Sequence, residues 1–425
     1  MLDTSINTYI NENNIKIKDY GVVERDFQPS KILHDTQESD TIPVFQVSGA
    51  TTKSTGNLVS TRDRIYKSLK VESDEEAYEK LLRAVSSPAK LVFKEDPGYY
   101  KETEKLLDAL PFVKFYEKDG NRYLTAAFFV ACHREVCNAS IHRIMYINRQ
   151  TAAVRIVPRH LYRLYTSAVK DKGMLPVTIV LGVHPAVLLG VSTSPRLGVF
   201  ELEVASRLIG GLRVFPSPLH GNPVPLGAGA IIEGYLLPDR VEEGPFADIL
   251  MLYDQVRREP VLKVEKVYVS QEHYTHVLLP GGLEHINLMG FPREAHIWES
   301  VSKVVPRVYK VRLTRGGGGW LNAVISIEKN HAGDGKNAIL AAFAGHPSLK
   351  HVIVVDGDID PDDPSMVEWA IATRFQADRD LIVIKNARGS TLDPSARQGF
   401  TAKMGIDATV PEIGDPRFER ASFPR

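Results

Sequence analysis

The sequence predicts a multidomain α/β protein in which a β-rich central domain lies between two units that mix strands and helices. Three observations support this fold class: apolar residues at helical spacing within the first hundred positions, short strands punctuated by Gly and Pro from about residue 112 to 293, and strands alternating with helices after residue 301. A length of 425 residues allows two or three domains, each able to bury its own core.

The N-terminal unit, residues 1–111, is predicted from one clear helix. Ser73 and Glu76 have the spacing of a capping box, in which each side chain can bond the backbone of the other. The apolar positions that follow recur at helical spacing: Ala77, Tyr78, Leu81, Leu82 and Val85. Short strands around this helix would complete a small α/β unit.

The central domain, residues 112–300, is predicted from strands broken by turns. The strand-like segments are Tyr123–Cys132, Ile141–Ile147, Val177–Leu181 and Val261–Val269. Gly and Pro punctuate the chain between them closely. This texture is typical of a barrel or sandwich whose loops carry function.

The C-terminal domain, residues 301–425, alternates strands with helices. Three runs read as strands and one as a helix: Trp320–Ile327, His351–Val355, Leu381–Ile384 and Lys336–Phe343. Asp363 can cap a second helix whose first turn holds Pro364, where a missing N–H costs nothing. The alternation predicts a mostly parallel sheet.

Composition and cysteine usage limit the partners and the compartment. Lys and Arg number 52, as do Asp and Glu, so no net charge attracts nucleic acid or an anionic membrane surface. Cys132 and Cys137 are read as free, buried thiols in a reducing compartment. Neither a secretory signal nor an apolar run long enough to span a bilayer is visible, which predicts a cytoplasmic protein.

Two segments carry the residue types of an acid–base site. Residues 138–143 (NASIHR) join a polar stretch to an apolar strand, and residues 243–248 (EGPFAD) place two carboxylates around a Gly-Pro bend. A guanidinium can grip a carboxylate with two hydrogen bonds, and two nearby acids can differ in protonation. Spacing alone leaves surface ion pairs in turns as the alternative.

These segments resemble the UbiD-like decarboxylases, which use prenylated flavin mononucleotide. Residues 138–143 are similar to that family's Asn-x-x-Ile-x-Arg segment, and residues 243–248 to its Glu-Gly-Pro-Phe-Gly-Glu/Asp signature. Further similar segments follow the family order: residues 182–186 (GVHPA), 279–282 (LPGG), 358–361 (DIDP) and 387–390 (ARGS). The resemblance covers most of the chain and implies a flavin-binding split β-barrel as the central domain.

The resemblance implies a metal site that neutralises the cofactor phosphate. Its ligands would be Asn138, His160 and Glu203, with Glu201 as the competing acid, and this oxygen-rich set suits Mn²⁺ or Mg²⁺. Asn138 and Arg143 are five apart, which puts them on opposite faces of a regular strand. We therefore expect Asn138 in the loop before the strand, or a bulge between the two residues.

The resemblance also implies a catalytic triad of Arg143, Glu243 and Asp248. Asp248 stands where many members carry Glu, which leaves open whether it or Glu243 donates the proton. The cofactor with an accompanying K⁺ would be bound by Ser140, Ile141, Arg143, Arg159, His160, Ser192, Thr193, Ser194 and Pro195. Arg159, with Arg155 and Arg163 nearby, could instead receive a phosphate on the substrate.

The activity implied is decarboxylation of an α,β-unsaturated acid. The compact length and the arginine-rich neighbourhood resemble archaeal members that convert trans-anhydromevalonate 5-phosphate to isopentenyl phosphate in a mevalonate pathway. The alternatives are an aromatic-acid decarboxylase of the 4-hydroxybenzoate type in quinone synthesis, or a flavin-binding or assembly protein without turnover. Implied partners are a flavin prenyltransferase that supplies the cofactor and further copies of this chain, joined through the C-terminal domain.

Overall fold

The computed structural model describes residues 4–421, and its mixed strands and helices confirm the predicted fold class. The chain divides into two compact units, Met1–Leu288 and Met289–Arg425. The division lies upstream of the boundary placed at residue 300 from the sequence, and the separation of residues 1–111 from the central domain remains a prediction. Within residues 4–421 no helix is long and apolar enough to cross a membrane.

The first unit is rich in strands. Its strands are β1 (Ile17–Val23), β2 (Ile42–Val47), β3 (Ser54–Thr55), β4 (Val92–Phe93), β5 (Tyr100–Glu102), β6 (Tyr123–Leu124), β7 (Phe128–His133), β8 (Val136–Ile141), β9 (Ile144–Asn148), β10 (Thr151–Val154), β11 (Leu175–Leu181), β12 (Arg213–Pro216), β13 (Pro223–Pro225), β14 (Ala230–Glu243), β15 (Phe246–Ala247), β16 (Tyr253–Asp254), β17 (Arg257–Ser270) and β18 (Thr275–His276). Its helices are α1 (Ile6–Glu12), α2 (Gln28–Thr36), α3 (Arg62–Leu69), α4 (Asp74–Ser86), α5 (His160–Lys172), α6 (Pro185–Ser192) and α7 (Glu201–Ile209). Helix α8 (Leu283–Val301) begins in this unit.

Helix α4 begins where the sequence predicts. The hydroxyl of Ser73 accepts the backbone N–H of Glu76 at 3.2 Å. The Glu76 carboxylate accepts the backbone N–H of Glu72, one residue before the N-cap, so the reciprocal half of the capping box is displaced by one position. The apolar side of the helix is buried, as its spacing predicts.

A large sheet dominates the first unit and supports the candidate site. Its strands follow the order β6-β9-β10-β17-β14-β11-β7-β8, with β5 pairing to β17, and the long antiparallel pair β14–β17 forms its centre. The described strands β6 and β8 stand at opposite ends of this path, so the sheet is open, as expected of a split barrel.

The break between β8 and β9 differs from the sequence prediction. Of the two expected arrangements, the loop position for Asn138 is wrong, because Asn138 lies within β8. Instead the strand pairing stops after Ile141, and His142 and Arg143 form an irregular link to β9. This interruption removes the alternation of faces between Asn138 and Arg143.

The two cysteines form a disulfide, which corrects the prediction of free thiols. Cys132 on β7 and Cys137 on β8 are directly opposed partners in an antiparallel hairpin. Their Cα atoms are 4.1 Å apart, within reach of a direct bond. Spacing in the sequence did not indicate that a tight hairpin would place them face to face.

The second unit is a five-stranded α/β sheet. Its elements are β19 (Arg307–Leu313), β20 (Asn322–Glu328), β21 (His351–Asp356), β22 (Leu381–Arg388), β23 (Phe400–Asp407), α9 (Asp334–Gly345), α10 (Pro364–Arg374) and α11 (Ala377–Asp380). The strand order is β19-β20-β21-β23-β22, in which the three central strands are parallel and both edge strands are antiparallel. Asp363 caps α10 as predicted, accepting the backbone N–H groups of Ser365 and Met366.

Candidate functional site

A buried arginine–glutamate pair forms the centre of the candidate site. Arg143 donates from Nε to Glu243 Oε1 and from Nη2 to Glu243 Oε2, both at 2.8 Å, which is a bidentate pair. Glu243 ends β14 and is fully buried, whereas the Arg143 side chain is 9 % exposed. The two residues come from segments a hundred positions apart that the sheet brings together.

Two further acids contact the same guanidinium. Asp248 Oδ2 is 3.5 Å from Arg143 Nη1, and Asp254 Oδ2 is 3.1 Å from Nη2. The ring of Phe246 lies 4.4 Å from the guanidinium carbon and covers one face of it. Burial would lower the pKa of Arg143, but the hydrogen bonds and charges of Glu243, Asp248 and Asp254 raise it above its ordinary value, so the guanidinium stays charged.

The bend after Glu243 is fixed by close backbone packing. Gly244 has φ +99°, a conformation that glycine adopts without strain, and the Gly244–Pro245 peptide bond is cis. Gly120 donates its N–H to the carbonyl of Pro245 at 2.7 Å, and a Cβ at Gly120 would lie 2.1 Å from the Gly244 carbonyl oxygen. Two glycines therefore permit the approach that places Asp248 beside Arg143.

A second cluster joins β8 to the first residues of two helices. Glu201, at the start of α7, accepts Asn138 Nδ2 at 2.8 Å on Oε1 and the Ala139 N–H at 2.8 Å on Oε2. His160, at the start of α5, has Nδ1 3.3 Å from the same Oε1. One carboxylate oxygen thus contacts both the amide and the imidazole expected to bind metal.

The acid in this cluster is Glu201, whereas the sequence analysis preferred Glu203. Residues two apart on a helix project about 200° from each other, so only one of the two can face β8. Glu201 is buried against Asn138, while Glu203 is partly exposed. The competing assignment is the one that the geometry brings together with Asn138 and His160.

The hydrogen bonds beside Asn138 are consistent with a cation bound to its side-chain oxygen. Burial lowers the pKa of His142 to about 4, and the ring is therefore neutral near pH 7. Its Nδ1 is 3.1 Å from the Arg155 carbonyl and donates to it, which leaves Nε2 as an acceptor 2.9 Å from Ser140 Oγ. Ser140 Oγ is also 2.8 Å from Asn138 Oδ1. One hydroxyl proton cannot be donated to both acceptors. A metal ion bound to Asn138 Oδ1 would leave that proton for His142 Nε2.

The remaining predicted cofactor residues occupy two segments. Ser192 and Thr193 end α6, and their hydroxyls donate to the carbonyls of Leu189 and Gly190. Ser194 follows with φ +52° and is exposed, whereas Pro195 is buried. Ile141 is partly buried at the end of β8, and Arg159 is exposed at the N-cap of α5.

Sequence reasoning missed Asp254 and the role of His142. Asp254 lies outside the Glu243–Asp248 segment, but β15 and β16 pair so that Phe246 opposes Asp254. A hairpin prediction across residues 246–254 would have brought Asp254 back to Arg143. Within residues 4–421 no group of three His, Cys, Asp or Glu side chains is arranged to hold a metal ion, and the Asn138 cluster contains only two such residues.

Two family models match the chain. The Rift-related domain of 3-octaprenyl-4-hydroxybenzoate carboxy-lyase matches residues 87–283, and the C-terminal domain of the same carboxy-lyase matches residues 286–408. Together they cover most of the sequence and include every residue of the two clusters described above.

Similar proteins include enzymes with a named substrate. The anhydromevalonate phosphate decarboxylase of Aeropyrum pernix is 48 % identical over 425 residues, covering 100 % of this chain and 97 % of its own length. That of Methanocaldococcus jannaschii is 48 % identical over 331 residues, covering 77 % of this chain and 78 % of its own. The UbiD-class enzyme HmfF from Pelotomaculum thermopropionicum, solved in complex with FMN, is 36 % identical with a TM-score of 0.94, covering 99 % of this chain and 97 % of its own.

Proposed function

This chain belongs to the UbiD family of carboxy-lyases, and on that premise we propose that it decarboxylates trans-anhydromevalonate 5-phosphate to isopentenyl phosphate with prenylated FMN. The similar proteins from Aeropyrum pernix and Methanocaldococcus jannaschii carry the name of this activity, and one of them matches over the whole chain. The proposal thus names the class of reaction, a decarboxylation, and the class of substrate, a phosphorylated unsaturated acid.

The observation that supports this proposal most directly is that neighbouring carboxylates hold the guanidinium of Arg143 in one orientation. Glu243 occupies Nε and one N–H of Nη2, so the edge of the guanidinium that remains for a substrate carboxylate is Nη1. A charge-assisted bond from Nη1 would anchor the carboxylate that leaves as carbon dioxide. Arg143 therefore serves as an oriented anchor for the substrate acid.

Asp248 is the better candidate for the proton donor. Glu243 is fully buried and held in two short bonds, whereas Asp248 is 26 % exposed and only 3.5 Å from Nη1. A substrate carboxylate adds another negative charge next to these acids, which favours a proton on the least strongly bonded one. Asp248 would hold that proton and deliver it to the product carbon.

Asn138, His160 and Glu201 would hold the metal that neutralises the cofactor phosphate. Amide, imidazole and carboxylate donors suit Mn²⁺ or Mg²⁺, and the competition for the Ser140 proton supports a cation on Asn138. Residues 192–195 would contact the phosphate and an accompanying K⁺. When bound, prenylated FMN supplies an electron sink for the carbon–carbon bond cleavage, while the protein supplies orientation and proton transfer.

The substrate phosphate would meet cations at the start of α5. Arg155 is committed to Glu259 through a 2.6 Å contact, whereas Arg159 and Arg163 are exposed. Arg159 and Arg163 are therefore the cations available to a substrate phosphate, with the cofactor phosphate as the other possible partner of Arg159. A cytoplasmic location, supply of the cofactor by a flavin prenyltransferase and assembly into a homo-oligomer complete the proposal.

Coexpression with a flavin prenyltransferase tests the proposal. The purified protein is incubated with trans-anhydromevalonate 5-phosphate, its dephosphorylated analogue or 4-hydroxybenzoate, and carbon dioxide and the organic product are measured. We expect isopentenyl phosphate from the first acid and a strong loss of rate without the phosphate. Faster release of carbon dioxide from 4-hydroxybenzoate would favour the aromatic-acid alternative. Flavin binding without carbon dioxide from any of these acids would favour a protein without turnover.

A further inference from the structure

Arg143 has most of its hydrogen-bonding capacity occupied before any substrate binds. A guanidinium has five N–H donors. Glu243 takes Nε and one proton of Nη2, Asp254 lies 3.1 Å from Nη2, and Asp248 lies 3.5 Å from Nη1. Nη2 is thus held by two carboxylates on different strands, while Nη1 has only a long contact.

Asp254 is also the acid that links Arg143 to two other arginines. Arg155 Nε is 3.9 Å from Asp254 Oδ2, and Arg257 Nη1 bonds Oδ1 directly. The backbone N–H of Gln255 donates to Oδ1 as well. Burial raises the pKa of Asp254, but the bonds from Arg257 and Arg143 outweigh it and hold the pKa below its usual value, so the group is a carboxylate.

We propose that Asp254 is a positioning residue that locks Nη2 of Arg143 and thereby reserves Nη1 for the substrate carboxylate. The inference rests on the proposed function and goes beyond its triad of Arg143, Glu243 and Asp248. Glu243 alone would fix the plane of the guanidinium. Asp254, the second acceptor on Nη2, also prevents the Arg143–Glu243 pair from moving as a unit. In the hairpin β15–β16, Asp254 lies on the second strand and Asp248 directly follows the first, so one hairpin presents both acids to Arg143.

Asp254 also sets the charge that the proton donor experiences. Within residues 4–421, the carboxylates of Glu243, Asp248, Asp254 and Glu259 contact the guanidinium groups of Arg143, Arg155 and Arg257. Apart from the donor Asp248, these groups are three acids and three bases whose charges balance, and the partly buried His285 also interacts with Asp248 and Arg143. Burial lowers the pKa of His285, which keeps that ring neutral and leaves the balance unchanged.

Neutralising Asp254 would therefore leave one excess positive charge near the donor. An acid with fewer negative neighbours ionises at lower pH. If the donor must be protonated for turnover, activity is lost as pH rises, and that basic limb of the pH–rate profile should move to lower pH. A purely structural role for Asp254 would lower the amount of folded enzyme without moving the limb.

The test compares holoenzymes of the wild type, Asp254→Asn, Asp254→Glu and Glu259→Gln. Glu259→Gln is the matched control, because it removes one carboxylate from Arg155 without touching Arg143. We expect Asp254→Asn to lower kcat/KM for trans-anhydromevalonate 5-phosphate about 10- to 100-fold, the range of a bond to a charged group, and to shift the basic limb. Asp254→Glu should keep the limb in place and lower kcat/KM. Glu259→Gln also removes one negative charge from this cluster, so it should move the limb in the same direction but leave kcat/KM at the pH optimum near the wild-type value.

Wild-type kcat/KM and an unmoved limb in Asp254→Asn would overturn the proposal, as would an equal loss of kcat/KM in Glu259→Gln. If Asp254→Asn does not fold, Asp254→Glu decides, because wild-type kcat/KM in that variant would show that the geometry of the lock is irrelevant. Side-chain ¹⁵N NMR of Arg143 gives a readout independent of turnover. We expect restricted Nη2 protons in the wild type and averaged ones in Asp254→Asn. Should the wild type release no carbon dioxide, the proposed function fails, while this NMR comparison still decides whether Asp254 locks Arg143.

Discussion

At the level of single residues, the guanidinium of Arg143 contacts protein carboxylates before any substrate binds. The sequence predicts that the guanidinium grips a carboxylate with two hydrogen bonds, and in the structure that carboxylate is Glu243. The planar group is still required, because the three donors of a lysine diverge from a single nitrogen and cannot form two parallel bonds to Glu243 while holding a ligand at a separate edge. Residue type was predictable from the motif, whereas the division of its five donors depends on tertiary contacts.

Replacing Arg143 should affect stability as well as turnover. Arg143→Ala leaves the fully buried Glu243 without its partner, which costs about 3–5 kcal/mol in the free energy of unfolding. The double variant Arg143→Met with Glu243→Leu removes both charges and should recover much of that stability while remaining inactive. Denaturant unfolding and carbon dioxide release on the same preparations separate the two effects. Turnover near the wild-type rate in the double variant would remove Arg143 from the mechanism.

The choice between Glu201 and Glu203 gives a second residue-level prediction. Glu201→Gln removes the charged donor that contacts Asn138 and His160, so both metal and flavin retention should fall at least tenfold. Glu203→Gln is the matched change on the same helix and should retain both. Metal analysis and flavin absorbance of the purified proteins measure this. Loss of metal in Glu203→Gln with an intact Glu201→Gln would restore the original assignment.

At the level of elements, local patterns predicted three of the described helices, α4, α9 and α10, and parts of several buried strands. The cap of α4 by Ser73 and that of α10 by Asp363 follow from side chains that bond backbone groups a few residues away, so the sequence holds the needed information. The link at His142 and Arg143 could not be predicted in this way, because strand pairing with β7 and β6 decides where β8 ends and β9 begins. The choice between Glu201 and Glu203 could not be made from the sequence for the same reason, since only the packing of α7 on β8 shows which face of the helix is inward.

The hairpin β7–β8 gives a prediction at this scale. Its Cys132–Cys137 bond closes a very short loop, so the chain-entropy effect is small, about 2 kcal/mol on the unfolded state. The double variant Cys132→Ser with Cys137→Ser should lower the free energy of unfolding by that amount, and thiol titration of the denatured wild type under non-reducing conditions should find no free thiol. Two reactive thiols in unfolded, freshly purified protein would restore the original interpretation of free cysteines.

At the level of the whole molecule, each compact unit has its own hydrophobic core, and the two differ in what they contribute to the proposed chemistry. The residues proposed for chemistry all belong to Met1–Leu288, whereas Met289–Arg425 holds none of them. Alternation of strands and helices predicted the second unit from sequence, including its parallel centre. The antiparallel edge strands β19 and β22 were not anticipated, because strand direction depends on connections that hydrophobic periodicity does not encode.

Strand β22 offers the surface for the expected homo-oligomer. It is an edge of the five-stranded sheet, and its outward residues Leu381 and Val383 are 36 % and 52 % exposed. Phe400 on β23, opposite Arg388 at the other end of β22, is 55 % exposed. Ile382 and Ile384 pack against the core, so strand alternation places Leu381 and Val383 on the outer side of the strand. An apolar edge strand with free backbone groups tends to pair with another chain, and a second copy of this chain is the partner we expect.

Charge substitution on this edge tests the assembly. Val383→Lys with Phe400→Glu should convert the oligomer to a smaller species, because burying either charge at an interface is costly. Val22→Lys is the matched control, since Val22 is 70 % exposed on β1 in the other unit and should leave the oligomer intact. Light scattering coupled to size exclusion at micromolar concentration gives the mass of each variant. A monomeric wild type would contradict the prediction of an oligomer, and an unchanged mass in the edge variant would place the interface elsewhere on the chain.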